Sequence, residues 1–284
     1  MYRKLLGILI ALNALAAKAA NQPIQYTKYD STKVVSLLKL AKMQKPETNY
    51  VLFFARQLVN IPYVAKTLEN NQTEKLVINL RQLDCTTYVE NVLALTLCVK
   101  NKHTSFMDFC NQLQKIRYEK GDIKYTKRHH YFTGWIISNS KLGLVRDRQT
   151  SQAPFTAIQK IRVRYMSEHP QYYPMLVKNP TWTTEIAQME KALDGLQYRY
   201  IPKNTIANTA LFRNSIKNGD IIAIITNKRG LDTSHIGIAV WHRDGLHMLN
   251  ASQVHKKVVE EPMLLKTYMS KHPIQIGIRI IEIK

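Results

Sequence analysis

Hydrophobic positions follow a helical spacing in the first part of the chain. Residues 32–58 carry an apolar face, and Lys45-Pro46 divides them into two predicted helices. Asp84 is a suitable N-cap for a third helix that runs to about residue 99. A fourth helix is predicted near residues 105–118. The early part of the chain is therefore mainly helical, with one short strand-like segment at residues 76–80.

Strand patterns dominate the last part of the chain. Runs of β-branched and apolar residues predict strands at residues 220–225, 235–241, 246–251 and 276–283. Asp244-Gly245 predicts a two-residue hairpin loop between the second and third of these strands. Because the helices precede the antiparallel strands, the order predicts an α+β fold with N-terminal helices packed on a C-terminal sheet.

The middle third of the chain gives a weaker pattern. Residues 120–214 contain only one short predicted helix, at residues 187–193, and several breaks at proline. We therefore predict a single domain over residues 20–284, with an irregular insertion at about residues 120–214.

The N-terminus has the order of a secretory signal peptide. Arg3 and Lys4 precede an apolar run over residues 5–17, and Ala17-Lys18-Ala19 supplies a small-x-small cleavage site. The run is shorter than the roughly 20 residues of a membrane-spanning helix. We expect residues 1–19 to be removed and the protein to be periplasmic or secreted, although an uncleaved N-terminal anchor is the alternative.

Net charge adds a class of partners. The chain carries +21 at pH 7, which favours contact with polyanions such as anionic cell-wall or membrane surfaces. The basic residues are scattered, and no nucleic-acid-binding motif occurs, so no nucleic acid is expected. The alternative is a solvated surface that keeps the protein soluble.

Three cysteines raise the question of which thiol is reactive. Cys98 and Cys110 lie on neighbouring predicted helices, and they either form a disulfide or are separate buried side chains. Cys85 lies in the first turn of its helix, where unpaired N–H groups and the helix dipole lower a thiol pKa. It is a candidate nucleophile, and a buried structural cysteine is the alternative.

His235 and Asn250 complete a candidate catalytic triad. His235 opens an apolar strand after a polar loop, and Asn250 could accept a hydrogen bond from its ring. A two-residue Asp244-Gly245 loop would pair Ala239 with Asn250, on the same face as His235 but roughly 13 Å away. A longer loop or a bulge must bring the two residues closer. No metal site is predicted, since the adjacent His129 and His130 point to opposite sides, and no cofactor is expected.

Three segments resemble the NlpC-type cell-wall hydrolases of the papain-like superfamily. They are Leu83-Asp84-Cys85-Thr86-Thr87-Tyr88-Val89-Glu90, Ser234-His235-Ile236-Gly237-Ile238 and Leu249-Asn250-Ala251-Ser252. Together with Ile61-Pro62-Tyr63 and His130-Tyr131-Phe132-Thr133-Gly134-Trp135, they are most similar to the N-acetylmuramoyl-L-alanine amidase-like branch, formerly a domain of unknown function. Three positions depart from its pattern: Asn250 replaces the usual histidine, Gly134 a polar or acidic residue, and Lys66 a glycine.

The resemblance implies a papain-like α+β fold and a set of site residues. Cys85 would attack an amide carbonyl, and His235 would hold the thiolate as an ion pair and protonate the leaving amine. The residues expected to contact substrate are Tyr63, Asp84, Tyr131, Trp135 and Ser234. Tyr131 and Trp135 would shape the sugar side of the groove, unless they are core aromatics.

The resemblance also implies a substrate class. We expect an exported cysteine amidase that hydrolyses the bond between N-acetylmuramic acid and L-alanine in peptidoglycan fragments (muropeptides). A stem-peptide endopeptidase of the same superfamily is one alternative. A catalytically inactive cell-wall-binding homologue is another, because Asn250 replaces the usual histidine.

Overall fold

A computed structural model describes residues 24–284 of the chain. The predicted signal peptide, residues 1–19, lies outside the described residues. In the described part of the chain, no helix has the length and hydropathy that crossing a membrane requires.

Four helices form the first layer. They are α1 (Lys28–Lys42), α2 (Tyr50–Gln57), α3 (Cys85–Lys100) and α4 (Phe106–Arg117), while β1 (Ile24–Gln25) pairs in parallel with β2 (Leu76–Val77). Helix α3 contacts the three other helices and also the main sheet. Every residue from Thr87 to Cys98 is consequently buried. Because α3 is buried on all sides, it lies at the centre of the protein, and the surrounding helices and sheet fix the position of its first turn.

An antiparallel sheet forms the second layer. Its strands are β3 (Val145–Asp147), β4 (Ala157–Lys160), β5 (Gln197–Pro202), β6 (Ile221–Thr226), β7 (Thr233–Trp241), β8 (Leu246–Ser252), β9 (Lys257–Glu260) and β10 (Gln275–Ile283). The strand order is β4-β5-β10-β6-β7-β8-β9, and β3 also pairs with β10. All six residues of β6 are buried, as its run of isoleucines predicts for a central strand. The predicted α+β order, with helices on an antiparallel sheet, is confirmed.

The middle third is more regular than predicted. It contains α5 (Phe132–Lys141), α6 (Tyr165–Glu168), α7 (Pro174–Lys178), α8 (Trp182–Leu193) and α9 (Ala210–Ser215), and α10 (Leu265–Ser270) follows β9. Strands β4 and β5 extend the main sheet, and side chains such as Met175 and Ile186 form a hydrophobic cluster of their own. These elements stand where irregular structure was expected, and most of them are too short to show a period in the sequence.

The connection between β7 and β8 is also longer than predicted. Trp241 pairs with Leu246, so residues 242–245 form a four-residue loop and Asp244-Gly245 is not a two-residue hairpin. Met248, rather than Asn250, therefore lies opposite Ala239. This shift of two residues moves Asn250 toward the start of β7 and leaves it on the same face of the sheet as His235.

The two other cysteines are part of the core. Cys98 in α3 and Cys110 in α4 are buried free thiols, so the disulfide alternative is wrong. Their side chains fill space between the two helices in the main hydrophobic cluster.

Candidate active site

Cys85 is the first residue of α3, and local hydrogen bonds fix its position. The Asp84 carboxylate accepts a hydrogen bond from the Thr87 N–H at 2.8 Å, and the Thr87 hydroxyl accepts one from the Asp84 N–H at 2.9 Å. This capping box starts the helix at Cys85, as the sequence predicts. The Cys85 side chain is partly exposed, whereas the helix is buried from Thr87 to Cys98.

His235 and Asn250 are joined by a direct hydrogen bond. The His235 Nε2 atom lies 3.0 Å from the Asn250 Oδ1 atom. The Asn250 Nδ2 group donates to the Met248 carbonyl at 3.4 Å, which assigns Oδ1 to the side of the imidazole. Because an amide oxygen only accepts hydrogen bonds, Nε2 carries the ring proton and Nδ1 keeps a free lone pair.

Packing of α3 against β7 and β8 brings the cysteine to these two residues. The backbone N–H of Ile236, which follows His235, lies against the Cys85 sulfur and lowers its pKa. The structure therefore brings Cys85 to the start of β7, next to the hydrogen-bonded pair of His235 and Asn250.

The pKa values of Cys85 and His235 differ from those expected from the sequence. Burial, followed by the charge of Asp84, raises the pKa of the Cys85 thiol to about 12, and the N–H groups of Ile236 and Thr86 only partly oppose this. Burial also lowers the pKa of His235 below its ordinary value, while the hydrogen bond to Asn250 acts in the opposite direction. Both shifts act against the charged thiolate–imidazolium pair that the sequence led us to expect.

Tyr63 lies beside Cys85, as predicted. It forms a β-bridge with Leu83, and its N–H donates to the Lys256 carbonyl at 2.9 Å. Burial raises the pKa of Tyr63 to about 12, and the neighbouring charges of Cys85 and Asp84 add to the shift. A neutral phenol, which both donates and accepts a hydrogen bond, is therefore present at the site.

Ser234 is exposed next to His235, at the point where β7 shifts its register against β6. Its hydroxyl donates to the Ile224 carbonyl at 3.3 Å. Ser234 is therefore adjacent to the site, and its side-chain hydrogen bond is to the backbone of β6.

The predicted roles of Tyr131 and Trp135 at the sugar side of a groove are wrong. Trp135 is 0% exposed and stacks on Phe132 with ring centroids 4.8 Å apart. Tyr131 is also buried, and its hydroxyl donates to Glu190 at 2.6 Å and accepts from the Met166 N–H at 3.0 Å. Both are core aromatics, the alternative that the sequence left open.

Two residues at the site were not predicted. The Tyr268 ring centroid lies 6.4 Å from that of His235, and the His272 ring lies 4.7 Å from Tyr268. His272 Nδ1 donates to the Tyr268 carbonyl at 2.8 Å. Tyr268 belongs to α10, a helix of six residues, which is too short to give a periodic signal in the sequence.

Within residues 24–284, no group of three or more His, Cys, Asp or Glu side chains is placed to hold a metal ion. The His130 ring instead bonds the Tyr125 carbonyl through Nε2 at 2.8 Å.

Several solved structures are similar to this chain. An N-acetylmuramoyl-L-alanine amidase from Bacteroides uniformis ATCC 8492 is 38% identical, with a TM-score of 0.76, over 82% of this chain and 97% of that chain. A protein from Bacteroides fragilis, provisionally described as a xylanase, is 40% identical, with a TM-score of 0.75, over 82% of this chain and 100% of that chain. A Legionella pneumophila protein is 24% identical, with a TM-score of 0.70, over 90% of this chain and 94% of that chain, and it supports the fold alone.

The family comparison covers most of the chain. Among curated proteins, none matches this sequence. The sequence profile of the AmiA-like family, described as N-acetylmuramoyl-L-alanine amidase-like, matches residues 53–278, which include Cys85, His235 and Asn250. Because the match extends over well more than half of its length, this chain belongs to the N-acetylmuramoyl-L-alanine amidase-like family.

Proposed function

We propose that the chain is a cysteine amidase that hydrolyses the bond between N-acetylmuramic acid and L-alanine in peptidoglycan fragments. The observation that carries this proposal is the arrangement at one site of Cys85, at the start of α3, with a His235 ring held at 3.0 Å by Asn250. A helix-borne cysteine facing a strand-borne histidine also supports the papain-like assignment of the fold.

The reaction proceeds by acyl transfer. The Cys85 sulfur attacks the lactyl carbonyl carbon, and its proton passes to His235 Nδ1, the ring nitrogen that does not face Asn250. The C–N bond then breaks, and the protonated His235 gives that proton to the leaving amine of L-alanine. Water hydrolyses the resulting thioester with His235 as base, which releases the sugar carboxylate and regenerates the thiol.

The neutral resting pair suits this order of steps. The raised pKa of Cys85 and the lowered pKa of His235 keep the proton on sulfur until the carbonyl carbon is attacked. The Cys85 backbone N–H, to which no acceptor is assigned in residues 24–284, is available to the oxyanion that forms in the transition state. The Thr87 N–H is not available, because it donates to Asp84.

The choice of the bond between N-acetylmuramic acid and L-alanine is supported by membership of the family and by similarity to the Bacteroides uniformis amidase. The test is mass spectrometry of defined muropeptides incubated with the wild-type protein and with Cys85→Ala. Cys98→Ala is the matched control, since it removes an equally small thiol from the same helix but from the core. We expect free N-acetylmuramic acid and intact stem peptide from the wild type and from the control, and none from Cys85→Ala.

Other outcomes would change the assignment. Cleavage within the peptide would make the protein a stem-peptide endopeptidase. Equal cleavage by Cys85→Ala would contradict a cysteine mechanism. An absence of cleavage by any of the proteins would favour a cell-wall-binding homologue.

We also propose that the protein is exported and that it binds anionic cell-wall material. The proposal rests on the signal-peptide pattern of residues 1–19 and on the net charge of +21. N-terminal sequencing of secreted protein should begin after Ala19. Binding to isolated cell walls should weaken as salt screens exposed charges beyond about 8–10 Å.

A further inference from the structure

A basic cleft lies at the end of the sheet where β7 begins. Its volume is about 820 Å³, and its walls come from β4, from residues 162–168 and from the loop between β6 and β7. Five cationic side chains line it: Lys160, Arg162, Arg164, Lys228 and Arg229. Only two acidic residues, Glu168 and Asp194, line the same cleft.

The charges of this basic cleft are only partly neutralised. Asp194 pairs with Arg164 at 2.5 Å, and Glu168 lies 3.9 Å from Arg229. The Lys228 ammonium lies over the Tyr165 ring, 4.7 Å from its centroid. Lys160 and Arg162 are exposed and form no ion pair with any described acidic residue. Both face the cleft and are available to an anion.

The basic cleft adjoins the candidate active site. Leu231 lines the cleft and precedes His235 by four residues, so their Cα atoms are at most about 14 Å apart. Thr226, another lining residue, is two residues beyond Ile224, which pairs with His235. Ile276 also lines the cleft, and it belongs to β10, which contacts α10, the helix that carries Tyr268 beside His235.

The charges in a peptidoglycan fragment are not evenly distributed. The N-acetylated sugars become neutral once the lactyl carboxyl is in amide linkage, whereas the stem peptide carries free carboxylates. We propose, on the basis of the amidase function proposed above, that the basic cleft binds the carboxylates of the stem peptide and so holds the leaving-group side of the substrate. Lys160 and Arg162 act here as specificity-determining residues, through charge-assisted hydrogen bonds to carboxylates.

The test is calorimetric binding of the tripeptide L-alanyl-γ-D-glutamyl-meso-diaminopimelate, with and without amidated carboxyl groups. The proteins are wild type, the double variant of Lys160→Gln with Arg162→Gln, and a control with Lys39→Gln and Lys42→Gln. The control removes two exposed positive charges from the last turn of α1 and leaves the basic cleft unchanged. We expect the double variant to bind the anionic tripeptide about tenfold more weakly, and wild type and control to bind it equally.

Turnover provides an independent measurement. In muropeptide hydrolysis, the double variant should raise KM with little change in kcat, because it removes binding remote from the reacting atoms. The proposal would be overturned if the three proteins bound the anionic tripeptide with equal affinity. It would also be overturned if the wild type bound the amidated and the anionic tripeptide equally well. Tighter binding of a short polyphosphate than of the tripeptide would also overturn it. If the wild-type protein did not hydrolyse muropeptides, the amidase proposal would be refuted. The tripeptide binding measurement alone would then decide what the cleft binds.

Discussion

The side-chain oxygen of Asn250 lies 3.0 Å from Nε2 of His235, although the two residues are 15 positions apart on different strands. Asn250 is 0% exposed, so no bulk water competes for this hydrogen bond. The contact selects one tautomer of the imidazole and fixes the plane of its ring. The contact therefore places Asn250 where a residue that orients the proposed catalytic base would lie.

Replacement of Asn250 should lower the chemical rate more than substrate binding. We expect Asn250→Ala to reduce kcat by about 10- to 100-fold, less than the loss of the base itself, because the imidazole loses its orientation but remains present. KM should change little. Steady-state kinetics with a defined muropeptide would measure both constants.

Asn250→His and Asn208→Ala are the matched comparisons. The histidine variant should retain most of the activity, since an imidazole nitrogen can also accept a hydrogen bond from the His235 Nε2–H group. Asn208 bonds the Arg243 carbonyl in an exposed region, so its removal should leave kcat unchanged. A normal kcat in Asn250→Ala would show that the hydrogen bond does not orient a catalytic base.

The pH profile should report a neutral base. Burial lowers the pKa of His235 below 6.5, so the imidazole stays neutral and competent as pH falls through that value. We expect kcat/KM to decrease only at pH values below 6.5. With the Cys85 pKa raised to about 12, the thiol stays protonated and gives no inflection at neutral pH. A bell-shaped profile centred near neutrality would instead indicate a thiolate–imidazolium pair.

The charge of Asp84 should slow alkylation of Cys85. Asp84→Asn keeps a good N-cap residue but removes a negative charge that raises the pKa of the thiol. Labelling by iodoacetamide, located by peptide mass spectrometry, should therefore begin at lower pH in this variant than in wild type. Asp108→Asn makes the same change at the start of α4 and should leave Cys85 labelling unaltered. Identical labelling curves for wild type and Asp84→Asn would contradict this electrostatic effect.

Gly237 should be essential for the spacing of β7 and β8. A Cβ atom there would lie 2.5 Å from Met248 Cγ and 2.7 Å from the Leu249 carbonyl oxygen. We expect Gly237→Ala to lower the free energy of unfolding by about 1–3 kcal/mol and to reduce kcat, because Asn250 follows directly after these residues. Urea denaturation and muropeptide kinetics would measure the two effects.

Gly134 provides the contrast. A Cβ atom there would meet only Leu193 Cδ1, at an ordinary 3.7 Å, inside helix α5. Gly134→Ala should therefore keep full activity and raise stability by about 0.5–1 kcal/mol. Equal stability losses in the two variants would contradict the close approach at Gly237.

The sequence predicts the parts of the site that depend on local structure. The isoleucine run of β6, the Asp84 cap and the polar-to-apolar change before His235 are local patterns, and each appears at the expected place. The same-face position of Asn250 follows from strand alternation, which a shift of two residues preserves.

The predictions that differ from the structure concern features that depend on long-range contacts. The length of the β7–β8 loop depends on how Trp241 and Leu246 pair, which a dipeptide signal does not determine. Burial of Trp135 against Phe132 arises from the packing of α5, and an aromatic residue has the same sequence pattern in a core and in a groove. The desolvation that raises the pKa of Cys85 likewise comes from residues distant in sequence, whereas the helix-terminus argument considers only the residues next to it.

The place of β10 in the sheet has a consequence for biosynthesis. Residues 275–283 lie between β5 and β6, so a strand translated after the nine other described strands fills a central position. Before it emerges, β6 lacks one neighbour, and the contacts between β10 and α10, which carries Tyr268, are not yet formed. A partly synthesised chain can therefore contain Cys85, His235 and Asn250 without a finished sheet around them. We therefore expect hydrolytic activity to appear only after the ribosome has translated β10.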